Sequence, residues 1–167
     1  MTDFSDSYVL SDTVLEAYIG ADPKVEAVAL KAAVAATQEW YCRRATKIID
    51  ALPLRGIKYL TDGTQARQFP RQYREGYDMN EITGEAEVPQ AVIDACCEEA
   101  IALYAHYADS DGLARSSLQK QGVKTYSLGG GYSETFGPSN DDKHYGLRSQ
   151  EAYDLIAKHI ARSIPIV

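Results

Sequence analysis

Residues 88–107 read VPQAVIDACCEEAIALYAHY, and this stretch decides the fold class. Pro89 stands at a first helical position, where its missing N–H is not needed. Ile93, Cys96, Cys97, Ala100, Leu103, Tyr104 and Tyr107 then recur at threes and fours, as one apolar stripe of a helix. Glu98 and Glu99 fall off the centre of that stripe, and the two cysteines read as small core residues. The spacing predicts a long amphipathic helix against which the rest of the chain packs.

Working outward, the same period appears on both sides. Val25, Val28, Ala29, Ala32, Ala36, Trp40, Ala45, Ile48, Ile49 and Leu52 predict a helix that opens at Asp22-Pro23 and ends at Pro53. Unbroken, it would run about 43 Å at the α-helical rise, and a kink near Trp40–Arg44 is one way to shorten it. A shorter helix starts at Asp12 or Thr13, where Thr13 and Glu16 have capping-box spacing, and stops at Gly20. The opening MTDFSDSY is polar and reads as frayed or extended. Downstream, DSDG at 109–112 ends the central helix. VKTYSL and YSETF flank Gly129–Gly131 and predict a hairpin over 122–137. Ser149 caps a last helix with Ala152, Tyr153, Ile156 and Ile160 on one face.

Between Pro53 and Val88 the helical period vanishes, and Gly56, Gly63, Pro70, Gly76 and Gly84 punctuate the chain. So long a stretch without regular structure is expected to be functional or ordered by a partner. The fold class is therefore mainly α: a small bundle of about four helices with a β-hairpin and a long irregular segment, 53–88. Residues 1–163 form one domain, and 164–167 are a short apolar tail.

Composition narrows the function classes. The chain has 167 residues, a formal net charge of −7, twelve tyrosines and three phenylalanines. An acidic balance disfavours general nucleic-acid binding, because phosphate contacts need a concentrated positive field. Abundant tyrosine suits surfaces that are wet in one state and buried in another. Three cysteines without metal-ligand spacing read as reduced thiols. No basic-then-apolar leader and no membrane-spanning run is visible.

No motif carries catalysis. His106, His144 and His159 sit in no metal or nucleophile signature, and His106 and His159 read as surface or helix-edge residues. Gly129–Gly131 lacks the Lys-Ser/Thr ending of a phosphate loop, and DSDG lacks the later ligands of a calcium loop. Glu75, Asp78, Glu81, Glu85 and Glu87 read as a solvated acidic loop. No catalytic, cofactor-binding or metal-binding residue is expected, and the chain is read as no enzyme.

One basic-aromatic cluster stands out. QARQFPR, residues 65–71, begins it, and Arg67, Arg71 and Arg74 alternate with Phe69, Tyr73 and Tyr77. Single-strand binders combine charge and stacking rings in this way. Arg, Tyr and Phe are also enriched in protein interfaces, and the acids from Glu75 onward dilute the positive field. The interface reading is favoured. Its candidate residues are Arg67, Phe69, Pro70, Arg71 and Tyr73, with the tail Ile164, Pro165, Ile166 and Val167. Phe69 would insert into a neighbouring subunit or into its own helices.

Five pieces in order carry a resemblance: AAVAATQEWYCRRATKIIDALPLRGIKY (32–59), QARQFPR (65–71), EVPQAVIDACCEEAIAL (87–103), VKTYSLGGGYSETF (123–136) and SQEAYDLIAKHI (149–160). They resemble the head–tail connector, or adaptor, proteins of long-tailed bacteriophages, some relatives of which are labelled DnaT-like single-strand DNA-binding proteins. The resemblance implies a non-enzymatic virion protein of the neck, assembled in the cytoplasm of an infected bacterial host. It implies a homo-oligomeric, twelve-fold ring that binds a portal protein on one side and a stopper or tail-terminator component on the other. Genome DNA would pass through the ring without specific binding, and no cofactor or membrane is involved. The alternative function is a single-stranded DNA-binding module.

Overall fold

The computed structural model describes residues 2–4, 6–20, 24–61, 63–108, 125–128, 132–135 and 145–161. Five α-helices are found there: α1 (Asp12–Ile19), α2 (Val25–Lys31), α3 (Ala35–Asp50), α4 (Gln90–Ala108) and α5 (Gln150–Ile156). A 3-10 turn, Ala157–His159, follows α5 directly. The fold is mainly α. Helix α4 is its centre, with α3 and α5 packed on it most extensively and α1 and α2 alongside.

Val92, Ala95, Cys96, Cys97, Ala100, Ile101 and Leu103 of α4 are all buried. Burial extends around most of the helix. It takes in Glu98 and Glu99, which are 6% and 0% exposed, although the stripe placed them off its centre. Each carboxylate is held by an element packed over it. The Tyr18 hydroxyl donates to Glu98 at 2.8 Å, and the Lys24 ammonium donates to it at 3.3 Å. Glu99 accepts the backbone N–H groups of Arg148 and Ser149 at 2.9 and 3.0 Å, just before α5. Two glutamates therefore tie α1, the entry to α2, and α5 to one central helix.

The long helix expected from residue 22 to 52 is two helices. They break at Ala32–Val34, upstream of the Trp40–Arg44 region. The side chain of Gln38, 2% exposed, donates to the carbonyls of Leu30 and Lys31 at 3.2 and 3.0 Å. It satisfies the open C-terminal carbonyls of α2 and fixes the turn into α3. Ser11, not Asp12 or Thr13, caps α1 by accepting the Val14 N–H at 3.4 Å. Ser149 caps α5 as expected, accepting the Ala152 N–H at 3.1 Å. Asp22 and Pro23 lie outside the described residues.

The N-terminal segment is part of the core. Phe4, Ser7, Tyr8 and Val9 are buried. The Phe4 N–H bonds to the Leu10 carbonyl at 2.8 Å, and the Tyr8 N–H bonds to Thr46 Oγ1 at 3.1 Å. A buried aromatic pair in a segment that is otherwise polar outweighs the fraying tendency of a chain end.

The segment 53–88 is not without regular structure. It holds a three-stranded antiparallel sheet, β1 (Ile57–Lys58), β2 (Arg71–Tyr73) and β3 (Gly76–Tyr77). In the register, Ile57 pairs with Gln72 and Gln72 with Tyr77, while Lys58 pairs with Arg71. Strands of two or three residues show no period of their own, so only pairing reveals them. The expected hairpin is present as the antiparallel pair β4 (Thr125–Leu128) and β5 (Tyr132–Thr135). Gly129–Gly131, the DSDG turn, His144 and the tail Ile164–Val167 lie outside the described residues.

Candidate nucleic-acid interface

The QARQFPR stretch faces inward. Phe69 is 2% exposed and packs edge-to-face on Tyr8 and on His159, with ring centroids 5.9 and 5.2 Å apart. The N–H groups of Gln68 and Phe69 both donate to the Tyr8 hydroxyl at 3.1 Å, and that hydroxyl donates in turn to Asp50. Burial raises the Asp50 carboxyl above its ordinary range, while the Tyr8 and Gln68 hydrogen bonds and the nearby Lys58 and Arg67 charges pull it down. Arg67 is half-buried, with its guanidinium 5.7 Å from the Tyr8 ring centroid. Pro70 is half-buried, and the Phe69–Pro70 peptide is cis.

Arg71 is 5% exposed. Its guanidinium donates to the Arg55 carbonyl at 2.6 Å, the Gly56 carbonyl at 2.5 Å and Gln68 Oε1 at 2.8 Å. A planar fork with five donors can fan out over several acceptors in this way. Gly56 is fitted to the contact: its φ is +73°, and a Cβ there would stand 2.3 Å from the Gln72 carbonyl oxygen. The placement of both residues in an interface is thereby corrected: Phe69 lies in the chain's own core, the other placement expected for it, and the Arg71 guanidinium is taken up by the Arg55 and Gly56 carbonyls and Gln68 Oε1.

Tyr73 is half-buried. Its hydroxyl donates to the Asp78 carboxylate at 3.2 Å and lies 3.0 Å from His159 Nδ1. Since Asp78 can only accept, Nδ1–H is the donor to Tyr73, and Nε2 is left without a proton. Nε2 is buried and has no hydrogen-bond partner among the described residues. Burial, first of all, depresses the His159 pKa below its ordinary value, with Asp78 opposing. His159, 7% exposed, is thus a core residue and not a helix-edge one.

The wet face of the small sheet lies on the other side. Arg71 points inward from β2, so its neighbour Gln72 points outward, in a row with Ile57 and Tyr77. Ile57 is 56% exposed. The Tyr77 ring packs against Tyr59, with centroids 4.9 Å apart, and its hydroxyl donates to the Gly84 carbonyl at 2.9 Å. At the Tyr77 edge of the sheet, reaching toward its inner side at Tyr73 and His159, is a groove of about 470 Å³ also lined by Arg55, Glu75 and Lys158. The Arg55 N–H bonds to the His159 carbonyl at 2.8 Å, which brings the 3-10 turn and Lys158 to the groove edge. Arg74 is exposed at the β2–β3 turn. Arg55, Tyr77 and Lys158 therefore meet at one groove, with Glu75 as the acid that lines it and Asp78 close by at the Tyr73 hydroxyl.

Of the basic-aromatic cluster read from the sequence, Tyr77 and Arg74 remain on this surface. Tyr59, Arg55 and Lys158 complete it and were not singled out. An Arg-x-Ile-x-Tyr alternation at residues 55–59 was the available signal, and it is short.

A family model described as "Putative DnaT-like ssDNA binding protein" matches residues 4–159 of the chain. No curated protein and no solved structure matches. The match spans nearly the whole chain. It overturns the phage head–tail connector reading and the adaptor-ring function drawn from it, and it supports the alternative, single-stranded DNA binding.

Proposed function

The chain belongs to the family described as DnaT-like ssDNA-binding proteins, and from that premise we propose that it holds single-stranded DNA on the outer face of β1–β2–β3. The Tyr59–Tyr77 pair beside the groove carries the reading. A sheet that presents rings gives unpaired bases a stacking surface, and stacking tolerates any base. Arg55, Arg74 and Lys158 supply the charge that follows a phosphate backbone. A net charge of −7 does not forbid this, because the interaction depends on where the cations lie and the acids elsewhere are screened over a Debye length of roughly 8–10 Å. The protein acts as a binding module and catalyses no bond change.

Fluorescence anisotropy with a labelled oligothymidylate tests the proposal. Wild type binds, and affinity falls as salt rises, at about 0.7 logarithmic units per phosphate neutralised. Tyr77→Ala loses about 1–3 kcal/mol of binding free energy, the usual worth of one stacked base. Salt-insensitive binding, or a Tyr77→Ala variant with wild-type affinity, would refute this surface.

A further inference from the structure

The turn that follows β3 is built to present one residue. Asn80 Oδ1 accepts the N–H groups of Ile82 and Thr83 at 2.9 and 3.2 Å. The Gly84 N–H bonds to the Asn80 carbonyl, and the Asn80 N–H to the Glu85 carbonyl, both at 2.8 Å. Gly84 takes a φ of +71°, which closes the turn, and Met79 bridges to Ala86 beneath it. At its tip Ile82 is 95% exposed, and Met79 below is 53% exposed. Glu81 and Glu85 are exposed on either side. The result is a rigid apolar knob with an acidic rim.

Helix α3 carries the opposite surface. At 100° per residue, Ala36, Trp40, Arg43, Arg44 and Lys47 fall within about 100° of arc on its outer side. Trp40 is 49% exposed, and edge contacts with Tyr41 and Tyr107, at 4.7 and 5.9 Å between centroids, hold its indole in place. Arg44 and Lys47 are exposed. Among the described residues Arg43 makes long ion pairs, 3.9 Å to Asp6 and 3.8 Å to Glu39, which are worth little at a surface.

We propose that the Ile82 turn of one copy of this chain docks on the Trp40–Arg44–Lys47 face of α3 in a second copy. Charge complementarity selects this occupant: two glutamates frame the apolar tip, and cations frame the tryptophan. Trp and Arg are the residue types that dominate binding energy in protein interfaces. A turn already fixed by its own hydrogen bonds loses little entropy on docking. A nucleic acid on α3 would use the cations but would leave the acidic knob without a role. The two surfaces are different, so the contact is heterologous and repeats head to tail into a ring or a filament. It concerns protein–protein contact, and the turn adjoins the sheet surface only through the Tyr77 hydroxyl bond to the Gly84 carbonyl among the described hydrogen bonds.

Sedimentation velocity on the full chain without DNA, from micromolar to submillimolar concentration, tests it. Wild type gains mass beyond a dimer as concentration rises. Ile82→Asp alters an exposed tip and Arg44→Glu/Lys47→Glu an exposed helix face. Each variant is monomeric alone, with unchanged thermal melting. Mixed in equal amounts, the two pair as a dimer that grows no further, because each retains one working surface. Adding Glu81→Lys/Glu85→Lys to the α3 variant restores growth. Monomeric wild type throughout, self-association of Ile82→Asp at the wild-type level, or failure of the mixture to pair overturns the proposal. So does loss of oligothymidylate affinity in the α3 variant with mass growth unchanged, which would assign that face to nucleic acid. Arg74→Ala, an exposed change at the β2–β3 turn, should weaken oligothymidylate binding and leave mass growth intact, so failure of the DNA surface and failure of the knob are read separately.

Discussion

The hydroxyl of Tyr8 donates to the carboxylate of Asp50, 42 residues away, while accepting two consecutive backbone N–H groups, those of Gln68 and Phe69. One phenol thus joins the N-terminal segment, the end of α3 and the inward strap before β2. Burial raises its pKa far above that of a free tyrosine, and Asp50 reinforces the shift. It stays a neutral donor and acceptor across all ordinary pH.

Tyr8→Phe should therefore be costly although the ring is kept. It removes one hydroxyl, takes from the buried Phe69 N–H its acceptor, and leaves the Gln68 N–H and the Asp50 carboxylate with only their mutual 3.3 Å bond. An unmet buried polar group costs about 1–3 kcal/mol. We expect urea unfolding to show a loss of about 2–3 kcal/mol with an unchanged denaturant slope. A loss under half a kcal/mol would mean that water replaces the hydroxyl.

Arg71 and Arg74 look alike in the sequence and should behave in opposite ways. Arg71→Lys keeps the charge but cannot fan out over the Arg55 and Gly56 carbonyls and Gln68 Oε1, so stability falls by about 1–3 kcal/mol. The salt dependence of DNA binding should not change. Arg74→Ala should leave stability within about 0.5 kcal/mol. It should lower the logarithmic salt slope by about 0.7 if Arg74 meets one phosphate. Paired denaturation and salt titrations on the two variants check both halves.

That contrast shows what a linear reading can and cannot reach. The Pro89 start, the Ser149 cap and the α4 stripe depend on residues within a few positions of one another. Arg71 depends on carbonyls that come from residues 54–56, and Glu99 on N–H groups from residues 148 and 149. Nothing near either residue in sequence announces those partners, so each reads as a surface charge. The sheet was hidden for a related reason, since strands of two or three residues have no period. The basic-aromatic cluster falls on and around the small sheet, but Phe69 and Arg71 of it face the core.

Cysteine chemistry should be silent in the folded protein. Cys42, Cys96 and Cys97 are fully buried free thiols. Burial pushes the Cys96 thiol up to about 11 and raises the other two as well. The thiolate is the reactive form, so modification at pH 8 should proceed only through unfolding. A chromogenic disulfide reagent should label no thiol in native buffer and three in urea. Fast labelling of even one thiol in native buffer would contradict the packing around α4.

The pH dependence of stability should carry two opposing contributions, and substitution can separate them. Burial lifts the Glu99 carboxyl to about 7 from an ordinary 4.5, with the Ser149 and Arg148 N–H groups pulling the other way. A folded-state pKa above the unfolded one means that the native form binds the extra proton. The Glu99 contribution is therefore complete below about pH 4.5 and is lost as pH rises through about 7. His159 runs in reverse. Its folded pKa is depressed by burial, so its contribution is complete above its ordinary 6.5 and declines as pH falls below that value. Glu99→Gln keeps an oxygen for the α5 entry and removes the titration. Relative to this variant, wild type should lose about 2–3 kcal/mol between pH 5 and pH 8, since each pKa unit is worth about 1.4 kcal/mol. Urea unfolding of both proteins at four pH values between those limits measures the difference. A flat difference curve would mean that the three backbone hydrogen bonds to Glu99 outweigh its desolvation and keep it charged throughout.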